Sequence, residues 1–121
     1  MSEDKAKQIA ALNDLFRLNF FVPTFGPRPV PGRVVCTRGI SALPPVTQIR
    51  IWAGVSSFND FTEDDIYGEH DFGVFRMEGA PEKIFWKIDY YADNSCTFGS
   101  EDPSDPAQCF RVLTIMLASE Y

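Results

Sequence analysis

Two strand-like runs held five residues apart constrain this chain more than any other feature. Phe72-Gly-Val-Phe-Arg-Met77 and the run from Lys83 to Tyr91 flank Glu78-Gly79-Ala80-Pro81-Glu82, a hairpin-sized loop with both turn-making residue types. In the second run Ile84, Trp86, Ile88 and Tyr90 alternate with Phe85, Lys87, Asp89 and Tyr91. The two-residue period of a strand puts the first set on the core face and the second outward. A hairpin with one apolar face needs a covering layer, so the remaining segments must supply helices.

They do so unevenly. Ala6 to Phe20 reads as a helix with Ile9, Leu12, Leu15 and Phe16 in its stripe, and Pro23 ends it. Pro23 to Gly32 holds four prolines and two glycines, which makes a stiff, extended connector. Arg33 to Arg38 reads as a first strand. Val46 to Phe58 fits both periods, through Ile49, Trp52, Ala53 and Ser56 or through Ile49, Ile51, Ala53 and Val55. Its thirteen residues, with Gly54 as the one internal breaker, favour a helix. Ala92 to Ser104 is a polar surface loop. Asp105-Pro106 then suits a helix start, with Phe110, Leu113, Met116 and Leu117 as the buried stripe of a final helix. The expected fold is α+β, a short, mainly antiparallel three-stranded sheet covered by helices, in the order α-β-α-β-β-α.

At 121 residues the chain is expected to form a single domain, 1–121. It has no apolar run near the roughly 20 residues of a membrane helix, and Met1-Ser2-Glu3-Asp4-Lys5 lacks the order of a secretory signal. A cytoplasmic location is expected, without a membrane partner. Cys36, Cys96 and Cys109 are widely spaced and odd in number, which fits three reduced thiols better than a disulfide framework or a zinc site. Charge is polarised: residues 1–50 carry a balance of +4 and residues 51–121 one of −10, for a net −6. That excess repels phosphate and disfavours direct nucleic-acid binding, and it suits a basic protein partner.

The acidity peaks in Phe58-Asn-Asp-Phe-Thr-Glu-Asp-Asp-Ile-Tyr-Gly-Glu-His-Asp-Phe-Gly73, which contains the one histidine. A calcium loop begun at Glu63 puts Tyr67 fifth and Val74 twelfth, where oxygen ligands belong, so the match fails. One histidine excludes a two-histidine, one-carboxylate metal site, and no cofactor or metal is expected. Histidine is the side chain suited to proton transfer near neutral pH, so His70, Glu69 and Asp71 are the catalytic candidates. There is no nucleophile elbow, phosphate loop or dinucleotide fingerprint to accompany them. Phe85 and Tyr91, on the outward face, suit anchoring of a protein partner better than base stacking.

Taken together, Ala11-Leu-Asn-Asp-Leu-Phe-Arg17, Gly32 to Leu43, Gly68-Glu-His-Asp-Phe-Gly73, Phe85-Trp-Lys-Ile-Asp-Tyr-Tyr91 and Arg111 to Tyr121 resemble a family of small bacterial proteins. Its members are often encoded on plasmids and other mobile elements, and it is known as a domain of unknown function. The resemblance implies a bacterial, cytoplasmic, single-domain protein and carries over no catalytic residue. Small acidic proteins of mobile elements can occupy a basic groove of host machinery. Carboxylates two apart on a strand lie about 6.6 Å apart, near two rises of a DNA strand.

The leading reading is a small acidic, non-enzymatic protein-binding module, a monomer or weak homo-oligomer. Its sharpest form is an inhibitor of a nucleic-acid-handling or host-defence complex. The expected partner-binding residues are Asp60, Glu63, Asp64, Asp65, Glu69, Asp71, Phe85, Asp89 and Tyr91. The alternative is a small metal-dependent or acid–base enzyme centred on Glu69-His70-Asp71.

Overall fold

In the computed structural model, which describes residues 2–20, 29–61 and 65–121, the hairpin forms where its alternation places it. Strands β2 (Phe72–Phe75) and β3 (Ile84–Tyr91) pair antiparallel, with Phe72 opposite Lys87 and Phe75 opposite Ile84. Gly79 closes the connection at φ +94°, a left-handed conformation that glycine adopts without steric cost. Ile84, Trp86 and Ile88 are buried, as their spacing predicts.

The sheet is larger than the sequence suggests. Among the described residues it has four strands in the order β1-β4-β3-β2, with β1 at Gly32–Cys36 and β4 at Phe110–Leu117. β4 runs antiparallel to β3 and parallel to β1. The remaining regular elements are helix α1 (Ser2–Asn19), the one-turn helix α2 (Arg38–Ser41), helix α3 (Pro45–Ser57) and 3-10 turns at Pro106–Gln108 and Ala118–Glu120.

The expected three-stranded, mainly antiparallel sheet in the order α-β-α-β-β-α is therefore corrected to a mixed, four-stranded one in the order α-β-α-α-β-β-β. The main difference lies in β4, expected as a helix; the other is the added one-turn helix α2, which begins at Arg38, the residue expected to end the first strand. Phe110, Leu113, Met116 and Leu117 do satisfy a helical stripe, but Val112 and Ile115 fill its gaps. Every β4 residue except Phe110 and Thr114 is buried, as befits a central strand covered on both faces. The aspartate–proline signal is real but short-lived. Asp105 accepts the Ala107 N–H at 2.9 Å, and the turn it caps stops at Gln108.

Helices α1 and α3 cover one face of the sheet. Phe16 of α1 and Ile51 and Val55 of α3 join Ile40 of α2 against Ile84, Trp86, Ile88, Leu113, Ile115 and Leu117. The buried face of α3 is Thr47, Ile51 and Val55, whereas Ile49 is 67% exposed. α1 begins ahead of Ala6 and ends at Asn19, and Pro23, with most of the proline-rich connector, lies outside the described residues. Its buried positions are Ile9, Ala10, Asn13, Phe16 and Arg17, so two polar side chains enter the interior where an apolar stripe was expected. The three cysteines are free thiols. No helix among the described residues is long and apolar enough to cross a membrane.

Candidate functional site

Those two polar side chains of α1 locate the site. Arg17 is 3% exposed. It donates to the carbonyls of Val55 and Phe58 at 2.7 and 2.9 Å, and to Asp14 Oδ1 at 2.8 Å. Its guanidinium lies over the Trp86 ring, 4.8 Å from the centroid, a cation–π contact strengthened by exclusion of water. Burial lowers its pKa from the ordinary value, and Asp14 opposes that shift.

Asp14, held in place by Arg17, meets His70. The Nδ1 atom of His70 is 3.0 and 3.1 Å from the two Asp14 oxygens, and the imidazole lies flat on Phe61. His70 has φ +56° and Gly68 φ +69°, so the chain reverses sharply between Asp65 and Asp71. The buried Asp65 carboxylate closes that reversal by accepting the N–H groups of Glu69 and His70 at 3.1 and 3.2 Å. The Gly68 N–H donates to the Asp65 carbonyl at 3.1 Å. This is the aspartate-capped turn that short acidic side chains favour.

Asn13, fully buried, ties the other side of the turn to the sheet. Its Nδ2 group donates to the Glu69 carbonyl and to the Tyr90 hydroxyl, both at 2.9 Å. Its Oδ1 accepts from Arg111 Nε at 2.6 Å. The Tyr90 hydroxyl in turn donates to Glu69 Oε1 at 2.9 Å. Burial, with the Asp71 and Glu69 carboxylates nearby, raises the Tyr90 pKa above its ordinary value, so the phenol keeps its proton. Arg111 is also fully buried; it stacks 5.2 Å from the centroid of Tyr90 and donates to the Pro103 carbonyl at 2.6 Å.

Asp71 follows the turn, and its carbonyl accepts the Ile88 N–H at 2.8 Å. Burial first, then the neighbouring Glu69, Asp65 and Asp89 carboxylates, push its pKa up to about 6. What the turn presents to solvent is apolar: Ile66 is 80% exposed and Tyr67 75%. An open groove of about 690 Å³ runs between this turn and the start of α1, lined by Lys5, Ala6, Lys7, Ile9, Tyr67, Gly68 and Glu69.

The sequence candidates therefore divide. Asp65, Glu69, His70 and Asp71 come together in one turn, with Asp89 close enough to act on Asp71. Asp89 also lies 3.2 Å from Lys87. Asp60 is exposed, and Glu63 and Asp64 lie outside the described residues. Phe85 and Tyr91 alternate with the buried residues of β3 and project from the face of the sheet opposite the helices. Asn13, Asp14, Arg17, Tyr90 and Arg111 belong to the site although their spacing marks them as ordinary helix and strand positions, and Phe61 joins them from within the acidic segment. Among the described residues no three His, Cys, Asp or Glu side chains stand close enough to hold a metal ion.

Residues 36–120 match the family described as "Protein of unknown function (DUF3768)". The chain belongs to this family. The DUF3768 match includes the turn, Tyr90 and Arg111, and stops short of α1, which supplies Asn13, Asp14 and Arg17. No curated protein and no solved structure matches the chain.

Proposed function

We propose that this DUF3768 protein is a non-enzymatic protein-binding module that docks through the turn from Asp65 to Asp71. One observation carries the reading. Ile66 and Tyr67, two large apolar side chains, are 80% and 75% exposed at the tip of a turn fixed by Asp65, Asn13 and the His70–Asp14 pair. Apolar side chains on a pre-organised turn lose little conformational freedom on binding, which favours their use as interface anchors. The carboxylates of Glu69 and Asp71 in the same turn suit a basic partner surface and speed encounter, while Lys5 and Lys7 line the α1 side of the groove beside Tyr67. In its sharpest form the proposal describes a cytoplasmic bacterial protein, encoded by a mobile element, that inhibits a nucleic-acid-handling or host-defence complex.

The test is recovery of partners from the bacterial host by the wild-type chain and by Ile66→Ala/Tyr67→Ala, followed by affinity measurement on the purified partner. A partner lost by the variant, and bound less tightly as salt rises, supports the reading. A partner retained equally by the variant overturns it.

The acid–base alternative draws on a specific feature, the Asp14–His70 pair beside the raised Asp71. An NMR titration of His70 tests it. A ring that titrates as an ordinary solvated imidazole, without response to added divalent ions, removes the alternative.

A further inference from the structure

The outer side of the hairpin carries a second feature, separate from the turn. A hollow of about 590 Å³ is lined by Phe72, Val74, Phe75, Arg76, Lys83 and Phe85. Gly73 packs on Trp86 and Phe75 on Phe58, both on the helix side. Strand alternation therefore turns Phe72 and Val74 to the opposite face. There the Phe72 ring stands 5.7 Å from Phe85 and 5.8 Å from Tyr121, centroid to centroid, giving the hollow an aromatic floor.

Among the described residues, no strand pairs with the outer side of β2. Ile88 donates to the Asp71 carbonyl, so in this register Gly73 and Phe75 exchange hydrogen bonds with β3. The N–H and C=O groups of Phe72 and Val74 then point off the sheet, since β2 is an edge strand. They have no partner among the described residues. At the far end of the hollow Arg76 and Lys83 are exposed and make no ion pair among the described residues. The nearby Glu82 carboxylate is held by Ser119, accepting from its N–H and hydroxyl at 2.7 and 2.9 Å, and forms no ion pair with either cation. At the other end, Asp60 and Asp65 line a small cavity of about 60 Å³ against Phe72, Gly73 and Val74.

We propose that this hollow docks an extended acidic peptide segment of a partner protein. The segment's main chain pairs with the Val74 N–H and C=O, as in strand addition to a free edge. An apolar side chain rests on Phe72 and Phe85, and carboxylates meet Arg76 and Lys83. The charge gradient along β2, from Asp65 and Asp71 to Arg76, sets the polarity: the acidic residues of the segment lie at the Arg76 end. This site is independent of the Ile66–Tyr67 turn, and either can fail without the other.

The test uses the full chain, 15N-labelled, titrated with acetyl-Glu-Leu-Glu-Phe-Glu-amide and, separately, with the same peptide carrying Lys in place of Glu. The acidic peptide is expected to shift the Val74, Arg76, Lys83 and Phe85 amides. Its affinity should fall by about tenfold or more in Arg76→Glu/Lys83→Glu, whose exposed positions leave the remaining amide spectrum unchanged. Absence of those shifts, equal shifts with the lysine peptide, or affinity unaltered by the charge reversal overturns the proposal. Equal shifts with glutarate, which has carboxylates but no main chain to pair, overturn it as well.

Discussion

The His70 imidazole lies parallel to the Phe61 ring, with centroids 3.9 Å apart and planes within 1°. The stack holds a non-glycine residue at φ +56°, a conformation that costs an ordinary L-residue about 1–2 kcal/mol. Phe61 and Asp14 together thus offset local strain in the turn that displays Ile66 and Tyr67.

Removing either ring partner should loosen the turn without unfolding the sheet. In Phe61→Ala and in His70→Ala, the Glu69 and His70 amides, both bonded to Asp65, are expected to exchange with deuterium about tenfold faster, the scale of an aromatic contact. Amides of the β3–β4 ladder should keep their protection. Unchanged exchange at Glu69 and His70 would show that the stack is incidental.

Asn13 should be among the least replaceable polar residues. Asn13→Ala leaves the buried Arg111 Nε without its acceptor and the Glu69 carbonyl without its donor. The expected loss is about 2–4 kcal/mol in urea denaturation, on the scale of unsatisfied buried polar groups. A loss below about 1 kcal/mol, the net value of one ordinary hydrogen bond, would mean that water replaces the amide.

Asp71 makes a prediction about pH. An unfolded aspartate ionises near 3.9, whereas burial and neighbouring carboxylates place the folded group at about 6. Between those values the folded state holds more proton, so this residue's contribution to stability falls as pH rises from about 4 to 6 and is level above. Asp71→Asn should therefore stabilise the protein at pH 7, by about 1 kcal/mol after allowance for screening at a half-buried site, and change little at pH 4. Thermal melts at the two pH values decide it, and an equal effect at both would be the contrary result.

Gly73 fits β2 against Trp86. A methyl group there would lie 2.6 Å from Trp86 Cε2 and 2.8 Å from Phe58 Cε1, inside contact distance of two aromatic side chains. Gly73→Ala is expected to cost about 1–3 kcal/mol through overpacking. Tryptophan fluorescence in a Trp52→Phe background, where Trp86 is the remaining indole, reports both the midpoint and any change in ring environment, and an unshifted midpoint would mean that the hairpin yields freely.

The hairpin was legible because β3 has a single buried face, and residues buried on alternate sides leave a two-residue period in the sequence. β4 was not, because a strand covered on both faces loses that period, and its apolar run satisfies helical spacing equally well. The acidic turn was legible as a cluster of residue types, and four of its members, Asp65, Glu69, His70 and Asp71, do converge. Its anchors were hidden for the opposite reason. Asn13 and Arg17 occupy interior positions of α1, and Arg111 lies within an apolar strand. Each is a polar residue whose burial depends on partners far away in the chain. A polar residue at an expected core position was the available signal, since such a residue must find hydrogen bonds or stay out.

The central place of β4 bears on how the molecule comes into being on the ribosome. β1 and the hairpin have no ladder with each other, only with β4, and β4 is the last of these four strands to be synthesised. Until it emerges, a nascent chain holds one orphan strand and one isolated hairpin, each with unpaired backbone and apolar surface. Such partly made chains are prone to aggregate. A stop codon introduced just before Phe110 should therefore yield insoluble protein rather than a smaller folded one.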